Sequence, residues 1–139
     1  MIRERSCGAV VFTKLDKKIK YLLITNLNGI YGFPKGHAEG QETETETALR
    51  EVHEETGLKI KRIGSFRTTE EYVIPQKKDT VKQVTYFLGF FENQNVILQK
   101  EELSGACLVS YEEAMDLLQF ESSKRILTEA NEYLKNMND

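Results

Sequence analysis

An α/β fold, in one domain spanning residues 1–139, is what the sequence predicts, on three observations. Two near-continuous apolar runs, Ala9-Val10-Val11-Phe12 and Tyr21-Leu22-Leu23-Ile24, read as strands covered on both faces. Cap and stop signals bracket a helix between Thr43 and Gly57, and an amphipathic helical pattern closes the chain from about Glu121 to Met137. A length of 139 residues with 40% apolar composition supplies one hydrophobic core and is too short for a second.

Taken in order, Ser6 to Thr13 and Lys20 to Thr25 form a strand hairpin across Leu15-Asp16-Lys17-Lys18. Tyr31-Gly32-Phe33-Pro34-Lys35-Gly36-His37 is an extended loop: Pro34 pushes Phe33 out of helical geometry, and Gly36 permits unusual torsion. Thr43 followed three residues later by Glu46 is a capping box, so a helix runs from about Glu44 to Thr56. Ala48, Leu49 and Val52, with Thr45 and Thr56, give that helix a flank to bury. Lys59 to Thr69 carries Ile60, Ile63 and Phe66 among polar residues. Thr80 to Glu92 is a strand preceded by a turn at Pro75-Gln76-Lys77-Lys78-Asp79. Alternation places Lys82, Val84 and Tyr86 on one sheet face, or divides them if a bulge intervenes. Beyond a loop holding Glu101 and Glu102 comes a short strand, Ala106 to Val109. Ser110 with Glu113 then opens a helix over Tyr111 to Leu118, and the last helix buries Ile126, Leu127, Ala130, Tyr133 and Leu134.

A net charge of −3 argues against a general nucleic-acid binder, whose surface would be basic, and no nucleic-acid partner is expected. The start Met-Ile-Arg-Glu-Arg-Ser lacks the apolar run of a signal peptide, and no stretch is apolar enough to span a bilayer. Cys7 and Cys107 follow no metal-binding pattern. A cytoplasmic protein with reduced thiols and no membrane partner is the expectation, its oligomeric state open and a monomer compatible.

Charge is concentrated in one place. Seven glutamates fall between Glu39 and Glu55 against a single arginine, Arg50. At roughly 100° per residue, Glu51, Glu54 and Glu55 lie within one arc of the helix surface. Like charges at that spacing destabilise a helix by a few tenths of a kcal/mol per pair, and a hard divalent cation held by oxygen ligands reverses the sign. The alternative is a solvated acidic face. Backbone carbonyls of the preceding loop can add further oxygens to a bound ion.

Gly36, five residues to Glu42, then seven to Arg50-Glu51-Val52-His53-Glu54-Glu55-Thr56-Gly57-Leu58 resembles the Nudix signature, G-x5-E-x7-R-E-U-x-E-E-x-G-U with U apolar, at every fixed position. The resemblance implies the Nudix fold, an α/β/α sandwich with a mixed β-sheet and a signature loop-helix-loop lying against it. It implies a hydrolase of nucleoside polyphosphates that uses Mg2+, with Mn2+ able to substitute. Glu51, Glu54 and Glu55 would hold metal, joined by the carbonyl of Gly36 and by Glu102 on the later loop, with Glu101 the fallback for Glu102. Arg50 would orient a carboxylate and Glu42 would support that arginine. One of Glu54, Glu55 and Glu102 would be the base.

Within the family, Pro34-Lys35-Gly36-His37 and Lys82-x-Val84-x-Tyr86 resemble the asymmetrically cleaving diadenosine tetraphosphate hydrolases. That implies phosphate contacts from Lys35, His37 and Lys82, and a nucleobase against Tyr86 and Phe120, with Tyr31 and Tyr72 secondary candidates. As residues, Tyr86 and Phe120 read equally well as core. His53 projects away from the acidic face. The implied reaction yields ATP and AMP from the tetraphosphate. Competing readings are a nucleoside triphosphate pyrophosphohydrolase that clears damaged nucleotides, an RNA 5′-end pyrophosphohydrolase, which would prefer a basic channel, and a nucleotide sensor. Sensors usually lose signature glutamates, and this chain retains them all.

Overall fold

The computed structural model describes residues 1–137. Strand β1 (Ile2–Leu15) turns through Asp16 and Lys17 into β2 (Lys18–Asn26); both turn residues take positive φ, 53° and 69°, the geometry whose twist matches a two-residue hairpin. β3 (Tyr31–Gly32) and β4 (Lys35–His37) follow, then α1 (Glu44–Thr56), β5 (Lys61–Val73), β6 (Thr80–Phe90), β7 (Leu103–Val109), α2 (Tyr111–Leu117) and α3 (Glu121–Met137).

The seven strands make a mixed sheet in the order β3-β2-β1-β6-β5, with β4 paired to β1 and β7 to β2. β1 runs parallel to β6 from Ile2 opposite Thr80 to Phe12 opposite Phe90; the other pairings are antiparallel. The two longest apolar strands therefore lie side by side at the centre, where both faces are covered.

Alternation along β1 divides the core. Ala9 and Val11 pack with Leu22 against Val52 of α1 and against Leu58. Val10 and Phe12 face the other way, with Tyr21, Leu23, Val84, Tyr86 and Leu88, onto Ala114 of α2 and Ile126, Leu127 and Ala130 of α3. Helices on both faces of one mixed sheet make the α/β/α sandwich that the resemblance implied. No described helix is long and apolar enough to cross a membrane.

Several expectations change in detail. The segment Tyr31 to His37 contains two short strands, because Lys35, Gly36 and His37 pair with Gly8, Cys7 and Ser6. β5 extends to Val73, well past the apolar residues that suggested it, since its polar half gains its ladder from Thr85, Val84, Gln83 and Lys82. β7 begins at Leu103, earlier than Ala106, by pairing with Asn26. On α1, Thr47 is fully buried and Leu49 only partly, because the rotation that sinks Glu55 also sinks Thr47. On α3, Asn131 is buried where polarity argued against it, its Oδ1 accepting the Tyr21 hydroxyl at 2.6 Å, while Tyr133 is half-buried and takes the Ser65 N–H at 2.9 Å.

Candidate active site

The site begins with the caps of α1. Thr43 Oγ1 accepts the Glu46 N–H at 3.1 Å, and Glu46 Oε1 accepts the Thr43 N–H at 2.8 Å. At the other end Gly57, with φ of 74°, donates its N–H to His53 O at 2.8 Å. With both ends fixed, the side chains between them have set directions.

Arg50 is the hub. Its Nε and Nη2 grip Glu42 Oε2 and Oε1 at 2.7 and 3.0 Å, and Nη2 also donates to the His37 carbonyl at 2.8 Å. Nη1 reaches Glu51 Oε1 at 2.8 Å and both oxygens of Glu54 at 3.1 Å. Glu42 takes two further bonds, from the Glu39 N–H and the Thr47 hydroxyl, and the guanidinium beside it holds its carboxyl down to about 2. Only a planar fork spans three carboxylates and a carbonyl in this way. Glu42 thus holds one edge of the guanidinium while Glu51 and Glu54 share Nη1.

Close approach fixes the loop. A Cβ on Gly36 would lie 2.1 Å from the Glu51 carboxyl carbon, so glycine here lets the Glu51 carboxylate lie close against β4. Gly8, which sequence reasoning passed over, has the same function one strand away: a Cβ there would lie 2.1 Å from the Pro34 carbonyl oxygen. No sequence signal separates Gly8 from any other strand glycine.

Glu55 turns inward. It is 7% exposed and accepts the Lys35 N–H at 2.9 Å. Burial pushes its carboxyl up to about 7; the Lys35 amide opposes that shift, and the negative charges of Glu51 and Glu102 reinforce it. Glu102 arrives from far along the chain. The segment after β6 is strapped to the end of α1 by Ile97 N–H to Thr56 O at 2.8 Å and Gln99 N–H to Glu55 O at 3.0 Å, and Gln99 O then accepts the Glu102 N–H at 3.2 Å. Glu102 lines the same cleft as Glu55 and Lys35, and Glu101 does not.

That cleft, of about 700 Å³, lies on the α3 side of the sheet. Lys35, Glu55 and Glu102 line it together with Tyr31, Phe33, Glu70, Tyr72, Tyr86 and Phe120. Phe120, 56% exposed, and Tyr72, 42%, present open rings. Tyr86 differs from the stacking residue the resemblance implied. It is 3% exposed and meets Phe33 edge-on at 5.6 Å, because β6 is central and this position faces the core. It forms the cleft floor, with its hydroxyl donated to Glu70 Oε1 at 3.3 Å. Tyr31 and Tyr72, ranked second from sequence, stand at the cleft with Phe120.

The basic side chains divide likewise. Lys82 shares a sheet face with Val84 and Tyr86, and is half-buried beside Lys35; burial and then that neighbouring ammonium lower it to about 8. His37 does not line the cleft: its imidazole is exposed, 3.9 Å from Glu4, which also takes Lys77 at 2.6 Å. What His37 gives Arg50 is its backbone carbonyl. His53 is exposed, as expected.

Residues 3–130 match the NUDIX domain. The chain belongs to the Nudix family. It is 35% identical over 142 residues to the asymmetrical bis(5'-nucleosyl)-tetraphosphatase of Mus musculus, covering 94% of this chain and 95% of that one. The enzyme of the same name from Sus scrofa is 33% identical, with 96% and 97% covered. In fold, this Nudix hydrolase superposes on a crystal structure of a C. elegans Ap4A hydrolase binary complex with a TM-score of 0.86 at 24% identity, covering 96% of this chain and 98% of that one.

Nudix hydrolases generally use a divalent metal, and the donors here fit one of the hard class. Glu51, Glu54, Glu55, Glu102 and the Gly36 carbonyl offer only oxygen. The rise in Glu55 under the charges of Glu51 and Glu102 marks a place where positive charge would be stabilising. The convergence read from the helix wheel is looser in the structure. Among the described residues no three acidic, histidine or cysteine side chains meet around one point, because Arg50 Nη1 draws Glu51 and Glu54 to itself while Glu55 turns under Lys35.

Proposed function

We propose that this Nudix hydrolase cleaves diadenosine tetraphosphate asymmetrically, releasing ATP and AMP, with Mg2+ as cofactor and Mn2+ as a substitute. The observation that carries the reading is one cleft lined by two kinds of side chain. Phe120 and Tyr72 offer open rings, and Glu55, Glu102 and Lys35 offer carboxylates and an ammonium. Such a cleft suits a ligand with a flat base joined to a polyphosphate. The relatives named for asymmetric tetraphosphate cleavage, matched over almost the whole chain, support the same substrate.

Attack on a phosphoanhydride is slow because the electrophile is already anionic. Metal bound by Glu51, Glu54, Glu55, Glu102 and the Gly36 carbonyl would supply positive charge across the phosphate oxygens and lower the pKa of water. Arg50, locked by Glu42, orients Glu51 and Glu54 toward that duty. Lys35 and Lys82, two neighbouring ammonium groups, take phosphate oxygens, and His37, exposed outside the cleft beside Glu4, is available to a phosphate that extends past it. Glu55 and Glu102 are the candidate bases that line the cleft. The base stacks against Phe120 and Tyr72, over the floor set by Tyr86, each stacked ring contributing about 1 to 3 kcal/mol. The whole chain acts as one domain on a small-molecule nucleotide, and two free thiols fit a reducing cytoplasm.

Product analysis on dinucleoside polyphosphates and nucleoside triphosphates with magnesium tests the reading. ATP plus AMP from the tetraphosphate, at efficiency well above the triphosphates, is the expected result. Pyrophosphate released preferentially from a triphosphate would replace it with the nucleotide-clearing activity.

A further inference from the structure

The roles above leave Glu70 unassigned, although it stands inside the cleft. It lies on β5 opposite Val84 of β6, on the same sheet face as Tyr72, two residues on. The carboxylate is half-buried on the cleft wall, between the open ring of Tyr72 and the floor formed by Tyr86. Its Oε1 accepts the Tyr86 hydroxyl at 3.3 Å. Burial keeps that phenol protonated, so the tether holds through the neutral range. Among the described residues no lysine, arginine or histidine nitrogen pairs with Glu70. The nearby Arg125 is committed elsewhere, to Glu129 Oε2 and Thr68 Oγ1 at 3.1 Å and to the Thr69 carbonyl at 2.7 Å.

A carboxylate held by a hydroxyl and left without a cation, beside the rings that would stack a base, has acceptor capacity to spare and nothing to donate. Its complement is a ligand N–H. We propose that Glu70 reads the base: Oε2 accepts a hydrogen bond from the exocyclic amine at C6 of adenine and disfavours purines that carry a carbonyl oxygen there. The inference rests on the reading that a nucleobase lies in the cleft against the ring of Tyr72. Adenine and hypoxanthine stack alike; adenine offers its donor at C6 and hypoxanthine at N1, so the direction of the preference reads which position Glu70 meets. A carbonyl at C6 turns an accepted hydrogen bond into two opposed acceptors, and sites built around a polar contact discriminate strongly against a ligand that cannot make it.

The test compares wild type, Glu70→Gln and Glu70→Ala on diadenosine and diinosine tetraphosphate with magnesium. In parallel, AMP and IMP are titrated into each protein by NMR. Wild type should prefer the adenine form by about tenfold or more, the equivalent of about 1.4 kcal/mol, in KM and in the nucleotide titration. Glu70→Gln keeps the shape and gains an N–H that can meet a carbonyl, so the preference should fall toward one. Glu70→Ala should weaken adenine binding with little change for hypoxanthine, the loss falling on KM and the AMP titration more than on kcat. A ratio equal in wild type and Glu70→Gln, or no adenine preference in wild type, overturns the assignment. If neither tetraphosphate is cleaved, the substrate reading falls, and the AMP and IMP titrations still decide the role of Glu70.

Discussion

Replacing Gly36 with alanine separates the chemistry of this site from its folding. The added methyl would lie 2.1 Å from the Glu51 carboxyl carbon and from Oε2, and 2.5 Å from Oε1, where ordinary contact begins at 3.4 Å. The obstruction is the far end of a flexible side chain, so Glu51 retreats by more than about 1 Å and β4 keeps its pairing with Cys7. Gly36 does not take a positive φ, so alanine adds no backbone strain and gains about 0.4 to 1 kcal/mol from a less flexible unfolded chain. That gain offsets most of the weakened Glu51 to Arg50 contact, and the melting temperature should move by no more than a few degrees. A displacement of about 1 Å at a reacting centre costs on the order of 100-fold in rate. Hydrolysis of diadenosine tetraphosphate, followed by product separation at saturating magnesium, should show that loss in kcat/KM, with calorimetry on the same sample confirming the fold. Wild-type kcat/KM in a folded Gly36→Ala protein would refute a working role for Glu51. A collapse in melting temperature would refute the claim that the side chain, and not the backbone, yields.

Glu54→Gln should lower kcat by two orders of magnitude or more while unfolding near wild type, because the Glu54 side chain is about half exposed and such ion pairs contribute about 1 kcal/mol or less; unchanged turnover would remove Glu54 from the metal set. Glu55 gives a pH signature: its folded pKa, about 7, lies above the ordinary 4.5, so the stability it contributes is full below about 4.5 and is lost as pH rises through about 7. With chelator present, the melting temperature of Glu55→Gln relative to wild type should therefore climb across that window and level off above it, and a flat difference would show that burial does not control this group. Added magnesium should stabilise wild type more at pH 8 than at pH 5, read by the same melts. Phe120→Ala should raise KM for the tetraphosphate about tenfold, as loss of one stacked ring predicts, with little change in kcat or melting temperature since the ring is 56% exposed; an unchanged KM would place the base elsewhere.

The sequence by itself determined whatever is local along the chain. The capping box at Thr43 and Glu46, the Gly57 stop and the spacing from Gly36 to Leu58 specify α1 and its acidic face, because helix caps and helical periodicity are set within a few residues. The same spacing carried the family, and the pairing of Arg50 with Glu42 lay within its reach. Long apolar runs gave β1, β2 and β6, while β5, polar and at the sheet edge, lost its second half to any reading by hydrophobicity. Tertiary structure decided which glutamate is buried. Glu54 and Glu55 are adjacent in a helix, yet one faces Arg50 and water while the other meets the Lys35 amide, a contact set by where β4 crosses the helix. It also chose Glu102 over Glu101, through the strap on the end of α1, and moved Tyr86 from a stacking face to the cleft floor. Those outcomes depend on approach between segments remote in sequence, which composition and periodicity do not encode; burial and charge at such approaches set the chemistry of each carboxylate.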